Sequence, residues 1–310
     1  MMGTLDKFNP IVLREMRGRM RNRRTFAGLT GYAIMLSVIA GFIYAAFYYS
    51  TAASNQIYPN VTIPSLETGP YVGKTIFAMT VILLLVVLPF TAATLAADAI
   101  AGERERQTYD MLRITAMSTP RLVWGKLGAV CSLLVLYIVI PLPLLGLAFF
   151  FGGVSLGEIL IAILAFLVTA LAFAAWGLYI SSLARTAKIA TALASGAILL
   201  AVYVAPLLVW MVSIIVPLLF SNQSQPSDPL LGLVYLYLGG FLASLNPIGA
   251  TILTGVAVAG GYGYFIFPIP VGTVNVWVIS PWLIYVAFYL LLTFGLVSLT
   301  IRRLRKVSEV

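Results

Sequence analysis

Charged side chains, the groups best able to bind a polar partner, are concentrated in one segment of this chain, Asp98–Lys126. The segment holds nine charged residues of both signs, although the 310-residue chain has only 19 Lys and Arg and 10 Asp and Glu. Because long apolar runs lie on both sides of it, the segment must sit in water between two membrane spans. Its helix-compatible, mixed-charge sequence favours ionic contacts with a soluble partner. The nine charged residues are Asp98, Glu103, Arg104, Glu105, Arg106, Asp110, Arg113, Arg121 and Lys126.

Residues for catalysis are scarce. The chain has no histidine and one cysteine, Cys131, which excludes histidine-based metal sites, Ser–His catalysis and an intrachain disulfide. The sequence T-G-P-Y-V-G-K-T (Thr68–Thr75) falls short of a phosphate-binding P-loop, because three residues separate its first glycine from Gly73 where the motif needs four. No span carries the central Asp or Glu pair of a proton-coupled carrier. We therefore expect no catalytic, metal or cofactor-binding residue in this chain.

The composition predicts an all-α polytopic membrane protein. Hydrophobic residues make up 61% of the chain and the mean hydropathy is +1.02, far above soluble domains. Only helices or closed barrels satisfy the backbone in lipid, and six apolar runs are long enough for a helical span. The net charge of +9 lies in segments that flank these spans, which points to membrane lipid and not to nucleic acid as its partner. The predicted spans are 26–49, 75–97, 127–151, 158–183, 189–220 and 276–301.

An interfacial amphipathic helix is predicted for residues 1–24. Val12, Met16 and Met20 recur at helical spacing among arginines, and Pro10 suits a first helical turn. Such a helix would lie on the inner membrane surface; the alternative is a simple positive flank that orients the first span. The arginines assigned to the helix are Arg14, Arg17, Arg21 and Arg24.

The positions of the basic residues predict that both termini are cytoplasmic. Of the 19 Lys and Arg, 18 fall in segments that would share the inner side, and only Lys74 does not. Residues 230–272 lie in a stretch without Lys or Arg, so we interpret them as re-entrant external helices, broken at Asn246–Pro247 and at Gly260–Gly261. Two extra full crossings are the alternative.

One motif is specific enough to suggest a family. The sequence G-E-R-E-R-Q-T-Y-D-M-L (Gly102–Leu112), followed by L-V-W-G-K-L (Leu122–Leu127), resembles the loop between the second and third spans of ATP-binding cassette permeases of the ABC-2 exporter type. Gln107 stands where that family commonly has Gly, and Ala116 where it has Pro. The basic ends of the chain, the R-T-A sequence at 185–187 and the break at 246–247 agree with the resemblance.

The resemblance implies the permease subunit of an exporter in the plasma membrane of a prokaryote. Two permease subunits, identical or different, would form the pathway. Each would bind a separate ABC ATPase subunit, which would carry ATP and Mg²⁺. The segment 98–126 would contain the coupling helix that sits in a cleft of the ATPase. The residues assigned to this contact are Glu103, Arg104, Glu105, Arg106, Thr108, Asp110 and Arg113.

Two other interpretations stay open. In the first, segment 98–126 is a solvated loop stabilised by internal pairs such as Arg106–Asp110. In the second, the chain as a whole is a passive channel or a secondary carrier without an ATPase partner; the predicted break in residues 230–272 favours a carrier slightly.

Overall fold

The computed structural model describes residues 23–57, 65–107, 118–204, 206–207, 211, 235–271 and 274–308. Helices dominate these residues, with π-helical turns at Leu199–Val204 and Tyr235–Gly239 and one antiparallel hairpin of β1 (Ile266–Val271) and β2 (Val274–Ile279). The α-helices are α1 (Arg23–Ile57), α2 (Ser65–Glu105), α3 (Thr119–Val139), α4 (Leu142–Phe150), α5 (Leu156–Leu183), α6 (Ala187–Ile198), α7 (Gly240–Ser244), α8 (Pro247–Ala259) and α9 (Pro281–Ser308).

Six helical stretches among the described residues are long and apolar enough to cross a membrane, which confirms the predicted all-α polytopic fold. The additional apolar helix α8 has 13 residues, fewer than a span needs. The six stretches are Phe26–Tyr49, Gly69–Glu105, Thr119–Phe150, Leu156–Leu183, Ala187–Val204 and Pro281–Lys306.

Two of these stretches differ from the predicted spans in ways that local chemistry explains. Helix α2 continues to Glu105 and not to residue 97, because Ala, Glu and Arg are strong helix formers and carry the helix beyond its apolar part. The third stretch is two helices: α3 ends at Val139, and Pro141 precedes α4, where a proline interrupts the backbone ladder of a continuous helix.

The end of the chain also departs from the predicted elements. The last helix begins at Pro281 and not at residue 276, because residues 274–279 pair with residues 266–271 as a hairpin. Upstream of the hairpin, α8 begins directly after Asn246 and ends at Ala259. The next two residues are Gly260 and Gly261, and Gly261 has a φ of 77°. Both helix boundaries fall at the positions where the sequence predicts breaks.

The chain divides into two compact units, and α2 and α5 each contribute residues to both. Of the described residues, those up to 88 and those within 118–170 form one unit, and those within 89–107 and from 171 onward form the other. In the first unit, Val72, Ile76, Ala148 and Val154 form a buried apolar cluster.

The P-loop-like sequence lies within the first unit and is helical. A Cβ at Gly73 would lie 2.9 Å from the Phe151 Cβ and would also meet the Ala148 carbonyl oxygen. A Cβ at Gly153 would lie 2.8 Å from the backbone nitrogen of Lys74. The turn between α4 and α5 packs closely against α2, and this packing accounts for both glycines.

Candidate functional site

Small residues bring α2 and α5 into close backbone contact in the second unit. Ala93, Ala97 and Ala101 are spaced by four on α2, and Gly177 and Ser181 are spaced by four on α5, so each set forms one helix face. A Cβ at Gly177 would lie 2.9 Å from the Ala93 Cα, closer than real Cβ contacts allow. Small residues at four-residue spacing are a common way for membrane helices to pack closely.

The hydroxyl of Ser181 enters the hydrogen-bond ladder of α2. Its Oγ accepts from the backbone N–H groups of Ile100 (3.0 Å) and Ala101 (2.9 Å) and donates to the Ala97 carbonyl (2.5 Å). A helical N–H ordinarily donates to the carbonyl four residues earlier, so a side chain of α5 here takes part in the backbone bonding of α2. Ser181 has 0% exposure, and its three backbone partners belong to buried residues.

Arg104 lies one turn further along α2 and contacts the end of α5. Its guanidinium donates to the backbone carbonyls of Ser182 (3.1 Å) and Ala184 (3.3 Å). The last carbonyls of a helix have no partner inside it and carry partial negative charge. Arg104 is partly buried and supplies both the donors and the matching charge for the C-terminus of α5.

Glu105, the next residue, contacts the beginning of α6. Its carboxylate accepts from the Ala187 N–H at 3.0 Å. Ala187 is the first residue of α6, and the preceding Thr186 caps the same helix by accepting from the Ile189 N–H. The anion of Glu105 therefore lies at the positive end of a helix, where it is favourable.

These contacts connect the end of α2 to both sides of the short turn between α5 and α6, which defines the candidate site. A family comparison identifies the kind of protein that carries it. The family model for ABC-2 family transporter proteins matches residues 10–248, about three quarters of the chain. The chain belongs to this family. No curated protein matches the sequence.

Membership establishes the coarse function: this ABC-2 family member is a multi-pass membrane permease of an ABC transporter system. The family also implies an ATPase partner and suggests that the permease itself is a non-catalytic component. Within the described ranges, no three side chains of His, Cys, Asp or Glu lie together as a metal site.

The predicted coupling residues of this ABC-2 transporter chain have different surroundings. Glu103 is partly buried and Arg106 is exposed at the end of α2, whereas Arg104 and Glu105 bond within the chain. Their assignment to an ATPase contact stays a prediction. Thr108, Asp110 and Arg113, as well as Arg14, Arg17 and Arg21, lie outside the described residues. Arg24 is in the first turn of α1, and its side chain is likewise outside the description.

Gln107 reveals how α2 ends. Its φ is 58°, a left-handed conformation that glycine adopts more readily. The N–H of Gln107 donates to the Arg104 carbonyl, and the N–H of Arg106 donates to the Gly102 carbonyl, as in a helix C-terminus. The chain therefore turns at the position where the resemblance to ABC-2 permeases led us to expect Gly, although a glutamine occupies it here.

Ser181 and Gly177 were not singled out by the sequence. They are two small residues four positions apart in an apolar helix, and that spacing is a usable signal for close helix packing. The R-T-A sequence at 185–187 was noted as part of the resemblance, and it contains the turn and helix start that Glu105 contacts.

Proposed function

We propose that this chain is the transmembrane permease subunit of an ATP-driven exporter, which forms the pathway as a dimer and is driven by a separate ATPase through segment 98–126. The observation that carries the proposal is the connection of the Gly102–Arg106 motif to the α5–α6 turn. A segment pushed by a partner moves the spans only if it is firmly joined to them. Arg104, Glu105 and Ser181 provide such a joint between the end of α2 and two further helices.

The charges of the motif divide into two roles in this proposal. Arg104 and Glu105 position the segment, because their charged groups bond to helix ends of the same chain. The exposed Arg106 and the residues that follow it are the contacts for the ATPase, where charge fixes register and partner choice more than affinity. ATP and Mg²⁺ belong to the ATPase, and this chain binds no cofactor.

The first experiment is purification of the tagged chain from its native cells in mild detergent, with identification of every protein that co-purifies. We expect a P-loop ATPase and a second permease copy, identical or different, and native mass spectrometry distinguishes these two dimers. Arg106→Glu should reduce recovery of the ATPase at least several-fold. The matched control is Arg302→Glu, an exposed charge reversal in α9 that should leave recovery unchanged.

Reconstitution then tests the transport activity. Proteoliposomes that contain the complex should move substrate out of the compartment that holds ATP, and transport should stop without ATP or Mg²⁺. An intact, dimeric chain that recovers no ATPase and whose transport is independent of ATP would instead be a passive channel or a secondary carrier. Both termini should be accessible to protease from the inner side only.

A further inference from the structure

Within the part of the chain that the structure describes, the hairpin of β1 and β2 has one packed face and one exposed apolar face. Its register pairs Ile266 with Ile279 and Pro268 with Trp277. Paired residues and residues two apart share one side of a sheet, so these four side chains lie together. All four are exposed, with Trp277 at 66%. On the opposite side, Phe267 is 4% exposed and stacks on Tyr262.

Hydrogen bonds hold this hairpin at the beginning of the last span. The Ser280 N–H donates to the Phe265 carbonyl (2.7 Å), and the indole N–H of Trp282 in the first turn of α9 donates to the Tyr264 carbonyl (2.5 Å). The basic cluster of α9 lies at its opposite end, where Arg305 and Lys306 fall in the last turn. The hairpin is therefore at the outer end of the span if the basic end is inside.

The chemistry of this exposed face indicates which surroundings would suit it. Residues 229–301 contain no Asp, Glu, Lys or Arg, and Trp is typical of the boundary between membrane and water. A two-stranded hairpin has unpaired N–H and C=O groups at its edges, which excludes it from the hydrocarbon but not from the hydrated headgroup layer. Pro268 and Pro270 lack an N–H and so reduce the number of unpaired donors on β1.

We infer that the face formed by Ile266, Pro268, Trp277 and Ile279 rests in the headgroup region of the outer leaflet and anchors the outer end of the last span. This inference does not depend on the proposed coupling to an ATPase. It also concerns a part of the chain beyond the family match, which ends at residue 248.

The test uses tryptophan emission from the full chain in phosphatidylcholine nanodiscs. The difference between the parent chain and Trp277→Phe isolates the emission of Trp277. Lipids brominated near the headgroup should quench that emission roughly twofold more than lipids brominated near the chain ends, since interfacial groups lie only 5–10 Å below the surface. Aqueous iodide should quench it weakly. Trp282→Phe is the control, because the Trp282 indole is partly buried and hydrogen-bonded.

Two results would overturn the inference. Strong iodide quenching with no lipid quenching would place the face in water. In the other result, iodide and brominated lipid both quench weakly, and lipid quenching becomes strong only in discs that hold a single chain. That result would show that a second copy of the chain covers the face.

A second measurement keeps Trp277 in place. A nitroxide is attached to Ile279→Cys in a chain that carries Cys131→Ser, with Arg106→Cys as the exposed, charged-segment control. Membrane-soluble oxygen should relax the label at 279 more than a water-soluble nickel chelate does, and the order should reverse at 106. The same order at both sites, in favour of the nickel chelate, would refute the anchoring of the hairpin.

Discussion

Ser181→Ala should weaken the contact between α2 and α5 more than the removal of any other side-chain hydroxyl from these two helices. The hydroxyl of Ser181 accepts from two N–H groups of α2 and donates to one of its carbonyls. Alanine keeps the Cβ, so the packing of the two helices is almost unchanged. The substitution therefore isolates the contribution of the three hydrogen bonds.

The magnitude follows from the number of bonds and their burial. Hydrogen bonds between membrane helices contribute about 0.6 kcal/mol each on average, so three give about 2 kcal/mol. Part of this is recovered, because the N–H groups of Ile100 and Ala101 can return to carbonyls of their own helix. Ser181 has 0% exposure, so water cannot replace the lost oxygen. We expect the free energy of unfolding to fall by about 1–2 kcal/mol.

The assay is thermal or denaturant unfolding of the purified chain in one detergent, with Ser182→Ala as the matched control. Ser182 is the next residue of the same helix and is 1% exposed, but its hydroxyl donates to the Tyr179 carbonyl within α5. Its loss should cost less than about 0.5 kcal/mol, because that carbonyl belongs to the regular ladder of α5. Equal losses for the two variants would refute the idea that Ser181 joins the helices.

Three further predictions test the packing, the backbone and a buried hydroxyl. Gly177→Val should lower the free energy of unfolding by about 1–3 kcal/mol by overpacking against Ala93, whereas Gly196→Ala, with open space around it, should be neutral or stabilising in the same unfolding assay. Gln107→Gly should stabilise the chain by up to about 1 kcal/mol by relieving the left-handed backbone, and Gln107→Val should destabilise it. Tyr32→Phe should not lower the melting temperature, because the buried Tyr32 hydroxyl has no hydrogen-bond partner among the described residues.

The spans were predictable because a single property, the length of an apolar run, determines whether a helix can cross the membrane. The hairpin was not, since residues 274–279 continue directly into the apolar sequence of α9 and read as part of one run. The alternation in V-N-V-W-V-I and the proline at 281 favour a strand that ends before a helix. A short apolar run does not by itself distinguish a strand from a helix, and the pairing with β1 decides.

The candidate site was predictable in its charges but not in their partners. The sequence places Arg104 and Glu105 in a polar segment between spans, and any such segment looks available to another protein. Their bonds to the α5–α6 turn join residues about 80 positions apart. Ser181 is a single serine in an apolar helix, and its role depends on which backbone packs against it. Such non-local contacts leave no periodic signal in the sequence.

The order of the two charges in the motif matters as much as their presence. Arg104 meets a helix C-terminus and Glu105 meets a helix N-terminus, so each lies at the pole of opposite sign. The swap of Arg104→Glu with Glu105→Arg keeps the net charge but puts both groups against poles of like sign. It should lower the free energy of unfolding by about 1–2 kcal/mol, with the exposed Glu105 contributing the smaller share.

The swap also separates positioning from recognition in the proposed function. If Arg106 and the residues after it meet the ATPase, the swapped complex should still assemble, while transport per ATP hydrolysed should fall. Arg106→Glu should give the reverse pattern, with weaker assembly but normal coupling in the complexes that remain. Loss of assembly in the swapped chain with stability unchanged would contradict this division, because it would show that Arg104 and Glu105 face the partner and not the α5–α6 turn.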